Sequence, residues 1–229
     1  MKTIGIVGGI GPESTIDYYR LLLARAHELA GAKSAPIVIN SIDYWEMRRL
    51  LDVGDDAGLA DMLVREVDLL ARAGAGLAII AANTPHLVFD RVEPRAAIPL
   101  VSIVQATRDA AEARGLRRLG LLGTKYTARA RFFPDVFAAR GLEVVMPPDD
   151  DIMYVHEKYV GELVEGRFLD STREGLVAVM ERLRDRAGVD GVILGGTELP
   201  LILRGVDYSL PLLDTTQIHV DAVLRAAVT

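Results

Sequence analysis

Short apolar runs rich in β-branched residues alternate along this chain with longer stretches whose apolar residues recur at helical spacing. The runs predict strands at Thr3–Gly8, Pro36–Asp43, Leu77–Ala81, Pro99–Ile103, Leu119–Gly123, Leu142–Met146, Gly191–Leu194 and Pro211–Asp214. Between two of them, Leu59, Met62, Leu63, Val67 and Leu70 mark one face of a helix. Strand–helix alternation predicts an α/β fold, and continuously apolar strands predict a parallel sheet buried on both faces.

The pattern repeats within the chain. Ile4-Gly5-Ile6-Val7-Gly8 aligns on Leu119-Gly120-Leu121-Leu122-Gly123 with a shift of 115. Arg72–Ile80 aligns on Arg186–Leu194 with a shift of 114, and Ile98-Pro99-Leu100 on Leu210-Pro211-Leu212 with a shift of 112. The order and near-constant shift predict two pseudo-symmetric halves, each a parallel-sheet α/β sandwich. The expected division is residues 1–105 with 210–229 in the first half and 106–209 in the second, with a site in the cleft between them at the carboxyl ends of the strands.

Four strand ends carry the candidate chemistry. Ala81-Ala82-Asn83-Thr84-Pro85-His86 follows the third predicted strand, with Thr84 suited to cap a helix and Pro85 to its first turn. Free N–H groups there would suit a carboxylate. Gly195-Gly196-Thr197-Glu198-Leu199-Pro200 occupies the equivalent place in the second half, offering a hydroxyl at Thr197 and a candidate base at Glu198. Each is also an ordinary helix cap. Gly8-Gly9-Ile10-Gly11-Pro12-Glu13-Ser14-Thr15 follows the first strand, and Gly123-Thr124-Lys125-Tyr126-Thr127 follows its repeat.

The glycine loop and Asp43 invite a dinucleotide reading, which fails on detail. The third glycine of G-x-G-x-x-G is absent, and Glu13 would oppose a pyrophosphate. The histidines lack metal-ligand spacing, so no metal is expected. His27 and His156 are expected on solvated helix faces, and His219 in core or at the surface. The run Asp149-Asp150-Asp151 suits a helix start. Tyr44 and Trp45 either wall a pocket or pack.

Composition narrows the function classes. Half of the 229 residues are hydrophobic and 25% charged, the net charge is -6, and cysteine is absent. That balance excludes disorder and argues against nucleic-acid binding. No apolar run approaches the roughly 18 residues of a membrane helix, and no signal peptide is visible. A cytoplasmic protein is expected, without disulfides, zinc-thiolate sites or a thiol nucleophile.

Taken together, the glycine loop, Asn83-Thr84-x-His86, Leu121-Leu122-Gly123-Thr124 with Tyr126-Thr127, and Gly195–Glu198 resemble the aspartate/glutamate racemase superfamily across essentially the whole chain. The resemblance implies that family's fold, a dimer, no cofactor such as pyridoxal phosphate, and a small carboxylate or amino acid as ligand. It implies substrate contacts from Gly11, Asn83, Thr84, Thr124, Tyr126, Thr127 and Thr197. In that family two thiols face each other across the cleft, one removing the α-proton and the other delivering a proton to the opposite face. The matching positions here are Ala82 and Gly196, neither of which can transfer a proton. A lysine in aspartate-type members falls near Val164, where this chain has Val164 and Glu165.

The expected function is therefore that of a family member acting on or binding a small carboxylate without the two-thiol mechanism. Glu198 and His86 are the candidate acid–base residues, with Glu13 also available. The alternatives are a non-catalytic carboxylate-binding or regulatory protein, or a single-base lyase, decarboxylase or tautomerase.

Overall fold

The computed structural model describes residues 1–31 and 33–228. Ala32 and Thr229, both assigned above to the first half, lie outside the described residues. The chain forms two compact units, Met1–Ile103 with Thr216–Thr229, and Val104–Thr215.

In the first unit, strands β1 (Ile4–Gly8), β2 (Ile37–Ser41) and β3 (Leu77–Ile80) form a parallel sheet in the order β2-β1-β3. Side-chain alternation divides its residues between two cores. Ile4, Ile6, Leu77 and Ile79 pack with Tyr18 and Leu22 of helix Pro12–Ala30 and with Val220 and Leu224 of helix Thr215–Val228. Val7, Ala78 and Ile80 pack on the opposite face with Met47 and Leu50 of helix Tyr44–Val53 and Leu59, Leu63 and Val67 of helix Asp56–Arg72. This two-sided burial is why the strands lack polar alternation.

The expected strand Pro99–Ile103 is reduced to one parallel bridge, Ala78↔Leu100. Ala78 N–H donates to the Pro99 carbonyl at 2.8 Å, and Val101 N–H to the Ala78 carbonyl at 3.0 Å. The proline has no N–H to extend the ladder, and Ile103 already begins helix Ile103–Ala113.

In the second unit, β4 (Arg118–Gly123), β5 (Glu143–Val145), β6 (Gly191–Gly195) and β7 (Leu212–Asp214) form a parallel sheet in the order β5-β4-β6-β7. Leu122, Val192 and Leu194 pack against Val155 of helix Asp149–Lys158, Tyr159, and Leu176, Met180 and Leu183 of helix Asp170–Ala187. Asp149–Asp151 form that first helix's opening turn, and Asp151 accepts from Arg182 at 2.5 and 3.0 Å.

Register reproduces the internal repeat. Ile4↔Leu77 in the first sheet corresponds to Leu119↔Gly191 in the second, and Ala78↔Leu100 to Val192↔Leu212. The two units differ from the expected division at two places, and residues 104 and 105 fall in the second unit. Residues 210–215 belong with the second unit, because β7 pairs with β6 there and the chain passes back only at Thr216.

Asp43 has a local role. Its carboxylate accepts from Trp45 N–H at 2.8 Å and Glu46 N–H at 3.4 Å, capping helix Tyr44–Val53. Asp43→Ala is expected to lower stability by about 1 kcal/mol, read as a shift in urea midpoint with an unchanged slope.

Candidate functional site

The first unit's strand ends are held by glycine loops and a pinned histidine. Gly9 and Gly11 have φ of 80° and 85°, left-handed backbone that glycine adopts without strain. Gly9 N–H donates to Thr15 Oγ1 at 2.9 Å, and Ile42 N–H to the Gly8 carbonyl at 3.0 Å. A Cβ on Gly8 would lie 2.5 Å from Thr15 Cγ2, so this glycine serves close packing on the following helix. The equivalent glycine of the second unit, Gly123, is covered the same way: a Cβ there would lie 3.1 Å from Thr127 Cβ.

After β3 the chain differs from the expected helix. Thr84–Val88 is a single 3₁₀ turn with Pro85 in it, followed by the short helix Phe89–Val92. Thr84 is the first residue of that turn rather than the cap of a long helix, so helix-dipole assistance to an anion is confined to one turn. Asn83 is buried at 2% exposure, and Thr84 is half-buried.

His86 is 3% exposed, with both ring nitrogens engaged. Ile103 N–H donates to Nε2 at 3.2 Å, which leaves Nδ1 as the protonated nitrogen, donating to the Ala82 carbonyl at 3.0 Å. The ring stacks on Phe89 at 5.0 Å. Burial, then the nearby His219, lowers its pKa to about 3. His219 is fully buried core, bridging Tyr18 Oη through Nδ1 and the Val101 carbonyl through Nε2, each at 2.8 Å. Burial lowers its pKa to about 4. His86 thus ties the turn at Ala82 to the start of the helix at Ile103; the structure gives this candidate base a holding contact on each nitrogen.

In the second unit, Gly123 and Gly195 are register partners at the carboxyl edge of the sheet, which sets Thr124 beside Gly196. Thr124 Oγ1 caps helix Lys125–Arg129 by accepting from Thr127 N–H at 3.3 Å, and the two hydroxyls are 3.4 Å apart. Thr124 is 6% exposed, Thr127 fully buried and Tyr126 half-buried. Tyr126 stands edge-on to His156 at 5.6 Å. His156 is only 6% exposed, so the expected solvated position is corrected: its helix turns that face inward onto Tyr126.

The most informative group surrounds Gly196. Helix Asp149–Lys158 runs into a π-helical turn, Tyr159–Leu163, in which Val164 N–H donates to the Tyr159 carbonyl at 3.0 Å. That turn lays the Tyr159 ring over Gly196. A Cβ on Gly196 would sit 2.4 Å from Tyr159 Cε2 and 3.1 Å from its hydroxyl oxygen. The Tyr159 hydroxyl donates to Glu198 Oε2, which also accepts from Thr197 Oγ1 at 3.1 Å. Thr197 and Glu198 are fully buried, whereas Tyr159 keeps 8% exposure. Burial, followed by the Glu198 carboxylate, raises the Tyr159 pKa well above the ordinary phenol value, so the phenol holds its proton.

Sequence reasoning named Glu198 and Thr197 but missed Tyr159. The signal was a glycine at the end of β6, whose missing side chain leaves space for a bulky neighbour. The family's lysine position falls near Val164, but the π turn brings the residue five positions earlier to the site.

Comparison with known proteins agrees with this architecture. The profile of the Asp/Glu/hydantoin racemase family matches residues 7–223. A crystal structure of a Yersinia pestis protein assigned as an Asp/Glu racemase is 35% identical with a TM-score of 0.87, and each chain is covered in full. An aspartate racemase homologue from Pyrococcus horikoshii OT3 is 36% identical with a TM-score of 0.82, again with full coverage of both chains. The broad specificity amino-acid racemase RacX of Bacillus subtilis is 20% identical over 224 residues, spanning 93% of this chain and 92% of its own. The chain belongs to the Asp/Glu/hydantoin racemase family. Among the described residues, no helix is long and apolar enough to cross a membrane.

Proposed function

We propose that this family member binds a small carboxylate or amino acid at the strand ends, without pyridoxal phosphate and without a two-thiol acid–base pair. The observation that carries the reading is the replacement of both proton-transfer positions: Ala82 offers only a methyl, and Gly196 lies under the Tyr159 ring. RacX, described as a broad specificity amino-acid racemase, and the aspartate racemase homologue support an amino acid or a related acid as ligand.

Thr84 in the first unit, and Thr124 and Tyr126 in the second, keep access to solvent or lie just beneath it, and each is a candidate carboxylate contact within its own unit in this reading. Asn83, Thr127 and Thr197 are more deeply buried and support them from behind, with Gly11 shaping the first loop. Hydroxyl donors suit an ionised acid because charge-assisted hydrogen bonds are the stronger kind. The reading includes a homodimer working in the cytoplasm.

Calorimetric titration with L-aspartate, L-glutamate and succinate tests it. Binding of at least one acid is expected, and Thr84→Ala or Thr124→Ala should weaken it about tenfold, the equivalent of about 1.4 kcal/mol. No heat from any acid in the series would overturn the reading.

A further inference from the structure

We propose that the open edge of β2 pairs antiparallel with the same edge of a second copy of this chain, joining two three-stranded sheets into one continuous sheet. The proposal rests on the homodimer in the reading above, gives it an interface, and does not depend on the carboxylate. Among the described residues, β2 is hydrogen-bonded on one side only, to β1. In that ladder Ile4 N–H donates to the Pro36 carbonyl at 2.9 Å and Ile42 N–H to the Gly8 carbonyl at 3.0 Å. A parallel ladder engages alternate residues of a strand, so 36, 38, 40 and 42 turn their backbone groups toward β1. Ile37, Ile39 and Ser41 turn theirs away. Ile39 is the middle of these, so a twofold axis through it sets Ile39 opposite its own copy and Ile37 opposite the copy of Ser41. Each facing pair then exchanges both N–H···O bonds.

An open edge is usually guarded by a charge, a proline or a bulge. Ile37-Val38-Ile39-Asn40-Ser41 has none of these, and Ile39 is 41% exposed. Register sets Ile39 beside Ile6, so its side chain lies on the face covered by helix Pro12–Ala30. Ile16, Tyr19 and Leu23 of that helix are exposed and form one stripe. At about 100° per residue, the stripe lies about 120–180° around the helix from Arg25. Arg25 bonds Asp221 of helix Thr215–Val228 at 2.5 and 2.9 Å. That second helix lies toward β3, since its His219 reaches the Val101 carbonyl and Val101 N–H bonds the Ala78 carbonyl. The stripe therefore faces the β2 edge. On the other face of the sheet, Glu66 of helix Asp56–Arg72 accepts from Asn40 Nδ2 at 2.7 Å, and Leu69, one turn further on, is exposed.

Size and charge favour a second copy as the occupant. The edge is three layers deep, helix on strand on helix, and about 28 Å long along the 19-residue helix. With layers about 10 Å thick, its area is on the order of 800 Å², the per-partner area of a standard interface. The strand carries no charge to oppose its own copy. The twofold axis runs the flanking helices antiparallel, directing the acidic first turn at Glu13 toward the end of the partner helix that carries His27.

Sedimentation velocity of the intact chain across micromolar concentrations tests the interface, with circular dichroism to establish that each variant is folded. The natural chain should sediment as a dimer. Ile39→Lys and Ile39→Glu each set like charges opposite one another and should weaken the dimer at least 100-fold. Mixed in equal amounts, the two variants should form a dimer again, because lysine then faces glutamate. A monomeric natural chain overturns the interface and the homodimer together, while carboxylate binding is decided separately by calorimetry. A dimer indifferent to both substitutions overturns the strand pairing alone, and so does loss without recovery in the mixture. Should the variants at position 39 fail to fold, Ile16→Glu combined with Tyr19→Glu, both at exposed helix positions, decides by the same readout: a retained dimer overturns the proposal.

Discussion

Between pH 7 and pH 5 the protein is expected to lose on the order of 4 kcal/mol of stability through two buried imidazoles. His86 and His219 remain neutral in the folded chain, with pKa values lowered to about 3 and about 4, chiefly by burial. In the unfolded chain each titrates near the ordinary histidine value of about 6.5. Below that pH the unfolded state binds protons that the folded state does not, so stability falls as pH falls. The loss continues until each folded-state pKa is reached, and with both groups acting its slope approaches about 2.7 kcal/mol per pH unit. This window opens before ordinary carboxylates protonate near pH 4. Urea unfolding followed by circular dichroism at pH 7, 6 and 5 measures it. His219→Gln should be less stable at pH 7 yet show about half the slope, whereas a natural chain equally stable at pH 7 and pH 5 would refute the assignment.

A second large effect is expected at Gly196. Its φ is not in the left-handed region, so backbone strain is no obstacle to a side chain there. The obstacle is the Tyr159 ring, 2.4 Å from the position of a Cβ and joined to Glu198 by a hydrogen bond. Gly196→Ala is therefore expected to destabilise by about 1–3 kcal/mol, the usual cost of overpacking a buried site. Combined with Tyr159→Leu, the alanine should cost far less than it does alone, a coupling that a double-mutant cycle of urea midpoints resolves. Additive effects would show that the ring does not hold that space. The same geometry implies that Ala82→Cys with Gly196→Cys does not by itself create a racemase, since the second thiol has no room while Tyr159 stays in place.

Much of the fold was legible because its strands are apolar on both faces and recur at shifts of 112 to 115 residues. Even the single bridge at Leu100 follows from its alignment with Leu212 of β7. The expected division differed from the units at 104–105 and at 210–215, and at the latter the repeat itself assigns the segment to the second unit and strand pairing agrees. The motifs after β3 and β6 were visible as residue types, and their family origin was visible with them. Their roles were not. Burial of His86 and His219 depends on contacts with Ile103, Val101 and Tyr18, which are distant in sequence. Tyr159 escaped notice because a change from α to π hydrogen bonding alters which helix face meets the sheet, and local periodicity does not report it.

The central claim is that this chain keeps the family's fold and carboxylate ligand but not its two-sided proton transfer. Chiral chromatography of separate D- and L-aspartate and D- and L-glutamate incubations with the unmodified protein tests that claim most directly, run on samples whose ligand binding has been established by calorimetry. The account predicts a bound acid whose configuration is the same at the end as at the start. Interconversion of either pair well above a protein-free control would contradict it.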